Sequence, residues 1–435
     1  MTVRSQFISR AFFITILFAF AFQCKMPALN NPGDPLSEEF AKQSIFSEFV
    51  RYFLQEKALP DGLVLLLYKG TPSYEAGFRV YKVDPEYGLT NDYVSDIRAA
   101  SLTSFPGCQP VRISIPPSSR DIITFTGTAS DHVTVHKYGF DRSLSLVSDQ
   151  VGFGIPIIST FNSDGTILYS SNSSTNPNTI NRSYRDPISG AVSLSNQGQY
   201  PFGVGCSPVS IRTSDKDGLF FTASTVGTPM GIYVHKKTGL DSLSNVGGTP
   251  FTSPDNPSQN NSLCLVESDR LLYMTSTNSS YPIYGFRYDD SGNMQLLPNS
   301  PFSPDPSYSG AAPNDNFSTN LSLDPNGKYL AFLYAAGATF YIHILSVDNV
   351  TGNLVPTDQK LSVGNAPKHL QWDKSGRFIY LVSDTGGTTN KFQMEYFRFS
   401  QNGSLTRGVN SPVTFSNMTG EYAPKDLKPI QRYFH

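Results

Sequence analysis

Six histidines are spread through 435 residues, and one of them has company suited to chemistry. Pro367-Lys368-His369 sets an imidazole beside an ammonium at the opening of an apolar stretch. Near neutral pH an imidazole can take a proton from water or return one to a leaving oxygen, and a neighbouring cation can hold an anion. His136, His235 and His343 fall at one repeat position in three separate units, so they read as packed or surface strand residues. Cys24 stands apart near the amino terminus, which leaves Cys108, Cys206 and Cys264, an odd number. Cys108 and Cys206 occupy equivalent places two repeats apart, too far for a bond, and the three read as buried free thiols. No CxxC pair, HExxH, Walker loop, dinucleotide fingerprint or Ser-His-Asp pattern occurs, so neither a metal nor a cofactor is implied. Lys and Arg number 33 against 35 Asp and Glu with no basic block, which excludes an electrostatic nucleic-acid binder.

The elements that must position these residues are repeated strands. In residues 319 to 348, Leu321 and Leu323 alternate with polar neighbours and Asp324-Pro325-Asn326-Gly327 makes a tight turn. Lys328 to Tyr334 and Phe340 to Val347 then form two apolar, aromatic runs. A turn at Thr351-Gly352-Asn353-Leu354 leads into a short fourth strand. Equivalent turns occur at Glu86-Tyr87-Gly88-Leu89, Asp141-Arg142-Ser143-Leu144, Ser189-Gly190-Ala191-Val192, Thr238-Gly239-Leu240, Ser291-Gly292-Asn293-Met294 and Asn402-Gly403-Ser404-Leu405. Seven units of four antiparallel strands predict an all-β, seven-bladed β-propeller over residues 59–435. Second strands such as Lys328 to Tyr334 and Arg377 to Val382 are apolar on both faces, as stacked blades require. Leu63 to Tyr68 lacks a preceding innermost strand. Tyr422 to Leu427 resembles the innermost-strand opening Asn365 to Leu370, so the carboxyl-terminal strand is expected to join the amino-terminal strands and close the ring.

Innermost strands open on proline at Pro110, Pro156, Pro208 and Pro367, where a missing N–H removes no ladder bond. The loops 249–262 and 300–319 lead into the two units without that proline. They are long, rich in Pro, Ser, Asn and Asp, and lie on the face that carries the other long loops. A protein or carbohydrate ligand is therefore expected on that face.

The amino terminus follows different rules. Arg4 and Arg10 precede the apolar run Ala11 to Phe22, the pattern of an export signal over residues 1–23. Cys24 follows directly, which resembles the lipobox of a bacterial lipoprotein, especially the relaxed spirochaete form. A lipidated Cys24 with a tether over 24–36 would anchor the chain to the cell envelope, at the outer membrane. Residues 37–58 carry Phe40, Ile45, Phe46, Phe49, Val50, Phe53 and Leu54 at helical spacing and predict an amphipathic helix packed on the propeller.

The Thr-Gly-x-Leu turns, the Pro-Phe pairs at 201-202, 250-251 and 301-302, and the Asp-x-x-Gly-Lys/Arg turns together resemble the seven-bladed lactonase-like propellers. That group includes 6-phosphogluconolactonase-like and YVTN-repeat proteins, and the resemblance spans roughly residues 60 to 428. It implies lactone hydrolysis in or beside the central channel. Pro367-Lys368-His369 is similar to the family's Pro-Arg-His segment with Lys for Arg, and Asp384 stands where the enzymes commonly have Asn-Glu. Three functions follow from the chain as read. The first is an exported, lipid-anchored binding module. The alternative is a lactone hydrolase using His369, Lys368 and Asp384, and the third is a structural envelope protein.

Overall fold

The computed structural model describes residue 46 and most of residues 60–432. It leaves out 70–74, 85–87, 98–108, 128–131, 152–157, 173–178, 194–198, 202–207, 225–230, 240–242, 248–250, 252–261, 276–282, 305–309, 312–319, 385–391, 415–421 and the single positions 118, 365 and 401. The expected signal segment, Cys24 and tether lie outside the described residues. So does the segment 37–58, apart from Phe46, which is helical and exposed.

Seven separate antiparallel sheets follow one another along residues 58–435, confirming the seven-bladed propeller. Blade two shows the pattern in full, its strands Gln109–Ser114, Asp121–Gly127, His132–Tyr138 and Leu144–Val151 running from the channel outwards. The closure expected from the sequence is present. Blade one is built from Gly88–Ile97, Glu75–Asp84 and Pro60–Lys69, and its innermost strand is Tyr422–Gln431 from the other end of the chain. That strand pairs with Pro60–Lys69 from Pro60↔Gln431 to Lys69↔Tyr422, so the inner edge of Pro60–Lys69 is covered.

Local chemistry explains the turns. In blade six the Asp324 carboxylate accepts the N–H groups of Asn326, Lys328 and Tyr329, and Gly327 supplies a φ of 70°. In blade seven Asp373 does the same for Arg377 and Phe378, with Gly376 at 72°. Only glycine takes that backbone region without strain. At the outer turns a second reason applies, since a Cβ on Gly352 would stand 2.8 Å from side-chain atoms of Leu271 and Leu297 in the preceding blade. The turn therefore doubles as an interblade contact.

The Pro-Phe pairs have a structural role. The outermost strand breaks after two or three residues in several blades, and the phenylalanine re-enters the sheet: Phe251 pairs with Ile232 and Phe302 with Ile283. Phe302 is 8 % exposed and packs with Tyr273 and Leu297. The core consists of such layers between successive sheets. One joins Leu63, Leu65 and Tyr81 of blade one to Phe378, Tyr380 and Tyr396 of blade seven across the closure. His136, His235 and His343 are buried strand residues of blades two, four and six.

Candidate active site in the central channel

Innermost strands of neighbouring blades do not pair with one another, because they splay around the channel. Backbone N–H groups on their open edges need other partners. Side-chain oxygens from the adjacent innermost strand provide them. Ser210 accepts from Leu263 N at 3.2 Å, Ser262 from Asn320 N at 3.1 Å, Ser322 from Trp372 N at 2.8 Å and Asp426 from Ile113 N at 3.0 Å. A belt of small hydroxyl residues thus links the blades, interrupted at blade one by a carboxylate.

These residues also line a cavity of about 410 Å³ running along the channel. Polar residues of that lining recur at positions two and four after the opening proline, the spacing of one strand face. Those positions are Arg112 and Ser114 after Pro110, Ser210 and Arg212 after Pro208, His369 and Gln371 after Pro367, and Asp426 and Lys428 after Pro424. All but His369 line the cavity. Among the described lining residues the charged groups are Arg112, Arg212, Lys374, Lys428 and Asp426, four cations against one carboxylate.

The electrostatics follow from that imbalance. Asp426 is 1 % exposed, and burial alone would raise its pKa. Lys428, Arg112 and His369, together with the Ile113 N–H, overcome this and hold it below the usual carboxylate value. Lys428 Nζ is 3.7 Å from Asp426 Oδ1. Burial lowers the Lys428 pKa; Asp426 opposes the shift, while Arg112 and Arg212 add to it by repulsion. Arg212 is likewise lowered by burial, a shift that Cys264 opposes and Arg112 reinforces. The Lys428 and Arg212 side chains are only half-buried, so water in the channel screens part of these interactions. Cys264 is a free thiol whose pKa burial pushes up to about 11, so it stays protonated at neutral pH and is no nucleophile. Cys108 and Cys206 fall outside the described residues.

The three residues singled out from the sequence all lie at or near the opening of the innermost strand Pro367–Trp372 of blade seven. Lys368 sits at a β-bulge between Pro367 and His369. The same irregularity follows Pro110 and Pro208 and faces Leu66/Leu67 on the closing strand, so it belongs to the repeat. Asp384 ends its strand, and its N–H donates to Ala366 O at 2.9 Å, which puts it beside the strand opening. His369 is 3 % exposed and within electrostatic reach of Asp426, outside the described cavity wall. Sequence reasoning missed Arg112, Arg212, Asp426 and Lys428. The available signal was the period: with the opening prolines aligned, these four charged residues fall at the second or fourth position beyond them.

Among the described residues no group of three His, Cys, Asp or Glu is placed to hold a metal ion. Of loops 249–262 and 300–319 the described residues are 251, 262, 300–304 and 310–311; Phe251 and Phe302 there are sheet residues and Ser262 a channel residue.

The chain is a seven-bladed β-propeller resembling gluconolactonase-like and 6-phosphogluconolactonase-like proteins in fold. A provisionally assigned 6-phosphogluconolactonase from Bacteroides fragilis superposes with a TM-score of 0.60 at 18 % identity, covering 85 % of this chain and 98 % of that one. The periplasmic gluconolactonase PpgL of Pseudomonas aeruginosa gives 0.58 at 17 % identity, covering 85 % and 99 %. A provisionally assigned 6-phosphogluconolactonase from Bacteroides uniformis gives 0.58 at 14 %. No protein-family model and no curated protein matches the sequence.

Proposed function

We propose that the protein hydrolyses a small anionic lactone in its central channel. The observation that carries this reading is the channel lining, where among the described residues the cations Arg112, Arg212, Lys374 and Lys428 share with the carboxylate Asp426 a cavity large enough for a sugar-sized ligand. Fold resemblance to gluconolactonases supports the reaction class and nothing finer. In this scheme a cation pair binds the carboxylate or phosphate of the substrate. Asp426, ionised because of its cationic neighbours, accepts a hydrogen bond from the attacking water and orients it. Addition to the lactone carbonyl places negative charge on its oxygen, which a second cation stabilises, and the proton passes to the ring oxygen as the C–O bond breaks. His369, within electrostatic reach of Asp426, steadies the carboxylate and is an imidazole able to relay that proton. Lys368 and Asp384 would contact substrate only at the strand-opening end of the channel.

The reading is tested by a pH-stat assay of the purified protein over aldonolactones with and without a 6-phosphate, with spontaneous ring opening subtracted. Turnover above background is expected, with Arg112→Ala raising KM more than it lowers kcat if its contact is uniform. Background rates across the panel for the folded protein would overturn it. The proposal extends to place: residues 1–23 direct export and Cys24 carries lipid that holds the propeller at the outer membrane. Fatty-acid labelling lost in Cys24→Ser is expected, and label retained there would refute the anchor.

A further inference from the structure

Two of the charged channel groups lie on the strand that closes the ring. Asp426 and Lys428 belong to Tyr422–Gln431, which reaches blade one from the far end of the chain. The same strand touches three blades: it pairs with Pro60–Lys69, Asp426 accepts Ile113 N of blade two, and Lys428 Nζ approaches Gln371 Oε1 of blade seven at 3.5 Å. Occupancy of the channel and docking of this strand therefore involve the same side chains.

Lys428 shares the cavity wall with Arg112 of the adjoining blade two and Arg212 of blade four, with Asp426 as the one described carboxylate among them. Repulsion between cations in a shared, partly desolvated space acts on the element that can move away. Arg112 and Arg212 sit in blades built from consecutive strands; Lys428 sits on a strand that joins blade one from a distant part of the chain and is held there by pairing alone. A doubly charged anion would cancel that repulsion and tie the strand to blades two and four.

We propose that a small dianion bound in the channel latches the ring, so that ligand binding and docking of Tyr422–Gln431 stabilise each other. The inference rests on the channel being an anion site and adds that closure is part of the site. Linkage makes the coupling reciprocal: whatever binds only the closed ring stabilises closure by the same free energy that closure contributes to binding.

Inorganic phosphate serves as the probe, with calorimetry reading binding and hydrogen exchange reading closure on the full chain. At ten times its Kd, phosphate should slow exchange of peptides covering 422–431 about 10-fold and leave Tyr329–Ala336 of blade six unchanged. Lys428→Met should reduce the phosphate effect to less than about twofold. Without phosphate its closing strand should exchange more slowly than in the wild type, because a repelled cation has gone. A merely structural Lys428 would give the opposite sign. Phosphate binding with no change over 422–431 would overturn the latch and leave the anion site standing. Absence of calorimetric binding would remove both, and faster exchange in phosphate-free Lys428→Met would overturn the repulsion argument.

Discussion

Replacing Asp426 by Asn should lower stability and raise anion affinity at the same time. Asp426 is the one carboxylate among the described charged groups of the cavity wall, and its oxygens accept the N–H of Ile113 at 3.0 Å and of Leu427 at 2.8 Å. Asn keeps the shape and one acceptor but puts an NH₂ where the other oxygen faced donors. At the 3.7 Å separation from Lys428, Coulomb's law with an effective dielectric constant of about 40, chosen for a half-exposed ammonium, gives about 2 kcal/mol. Losing one charged hydrogen bond adds about 1 kcal/mol, for a total near 3 kcal/mol. For a dianion the same substitution deletes a repulsive neighbour, and about 5-fold tighter phosphate binding follows if half of the pair energy is felt at the bound ion. Urea unfolding monitored by tyrosine and tryptophan fluorescence gives the first quantity, and calorimetry the second. Hydrolysis should fall about 10²- to 10⁴-fold in the same variant if Asp426 handles the water. A variant as stable as the wild type, or one that binds phosphate more weakly, would refute the charge argument.

Two further outcomes follow from burial. Burial lowers the His136 pKa to about 4 against an opposing pull from Asp149, so between pH 6.5 and 4 the unfolded chain binds a proton that the native state refuses. Stability present above pH 6.5 should be lost as pH falls through that window, by about 3 kcal/mol, and His136→Gln should flatten the fall in urea midpoints. Truncation after Gly420 removes buried Leu427 and Ile430, about 2 kcal/mol each, and bares the edge of Pro60–Lys69, so a large drop in melting temperature is expected. Removal of Arg432 to His435 should change it little, and equal melts of the two truncations would count against the closure scheme.

Fold was legible because its signals are local and repeated. The apolar second strands, the Asp-x-x-Gly turns and the glycine turns each reflect a backbone need within a few residues. Gly327 must reach φ 70°, and Asp324 must cap the N–H groups beside it. Seven repetitions made the ring countable, and the orphaned strand at Tyr422 to Leu427 announced how it closes. The Pro-Phe pairs were visible as a motif, but their role in returning a broken outer strand to its sheet depends on the pairing of Phe251 with Ile232 and Phe302 with Ile283.

The site was much less legible. Lys368 and His369 stood out because a cation beside an imidazole is conspicuous in a row of residues, but the bulge at Lys368 and the burial of His369 near Asp426 cannot be read from that row. Arg112, Arg212, Asp426 and Lys428 lie in three blades separated by up to 316 positions, and each looks like an ordinary strand residue on its own. By itself the sequence determined the repeat, the blade count and the closing strand, since these rest on hydrophobic period and turn chemistry. Which charges meet was decided only by the tertiary structure, because the channel is the one place where inner strands from every blade converge, and charge balance there is a property of the ring as a whole.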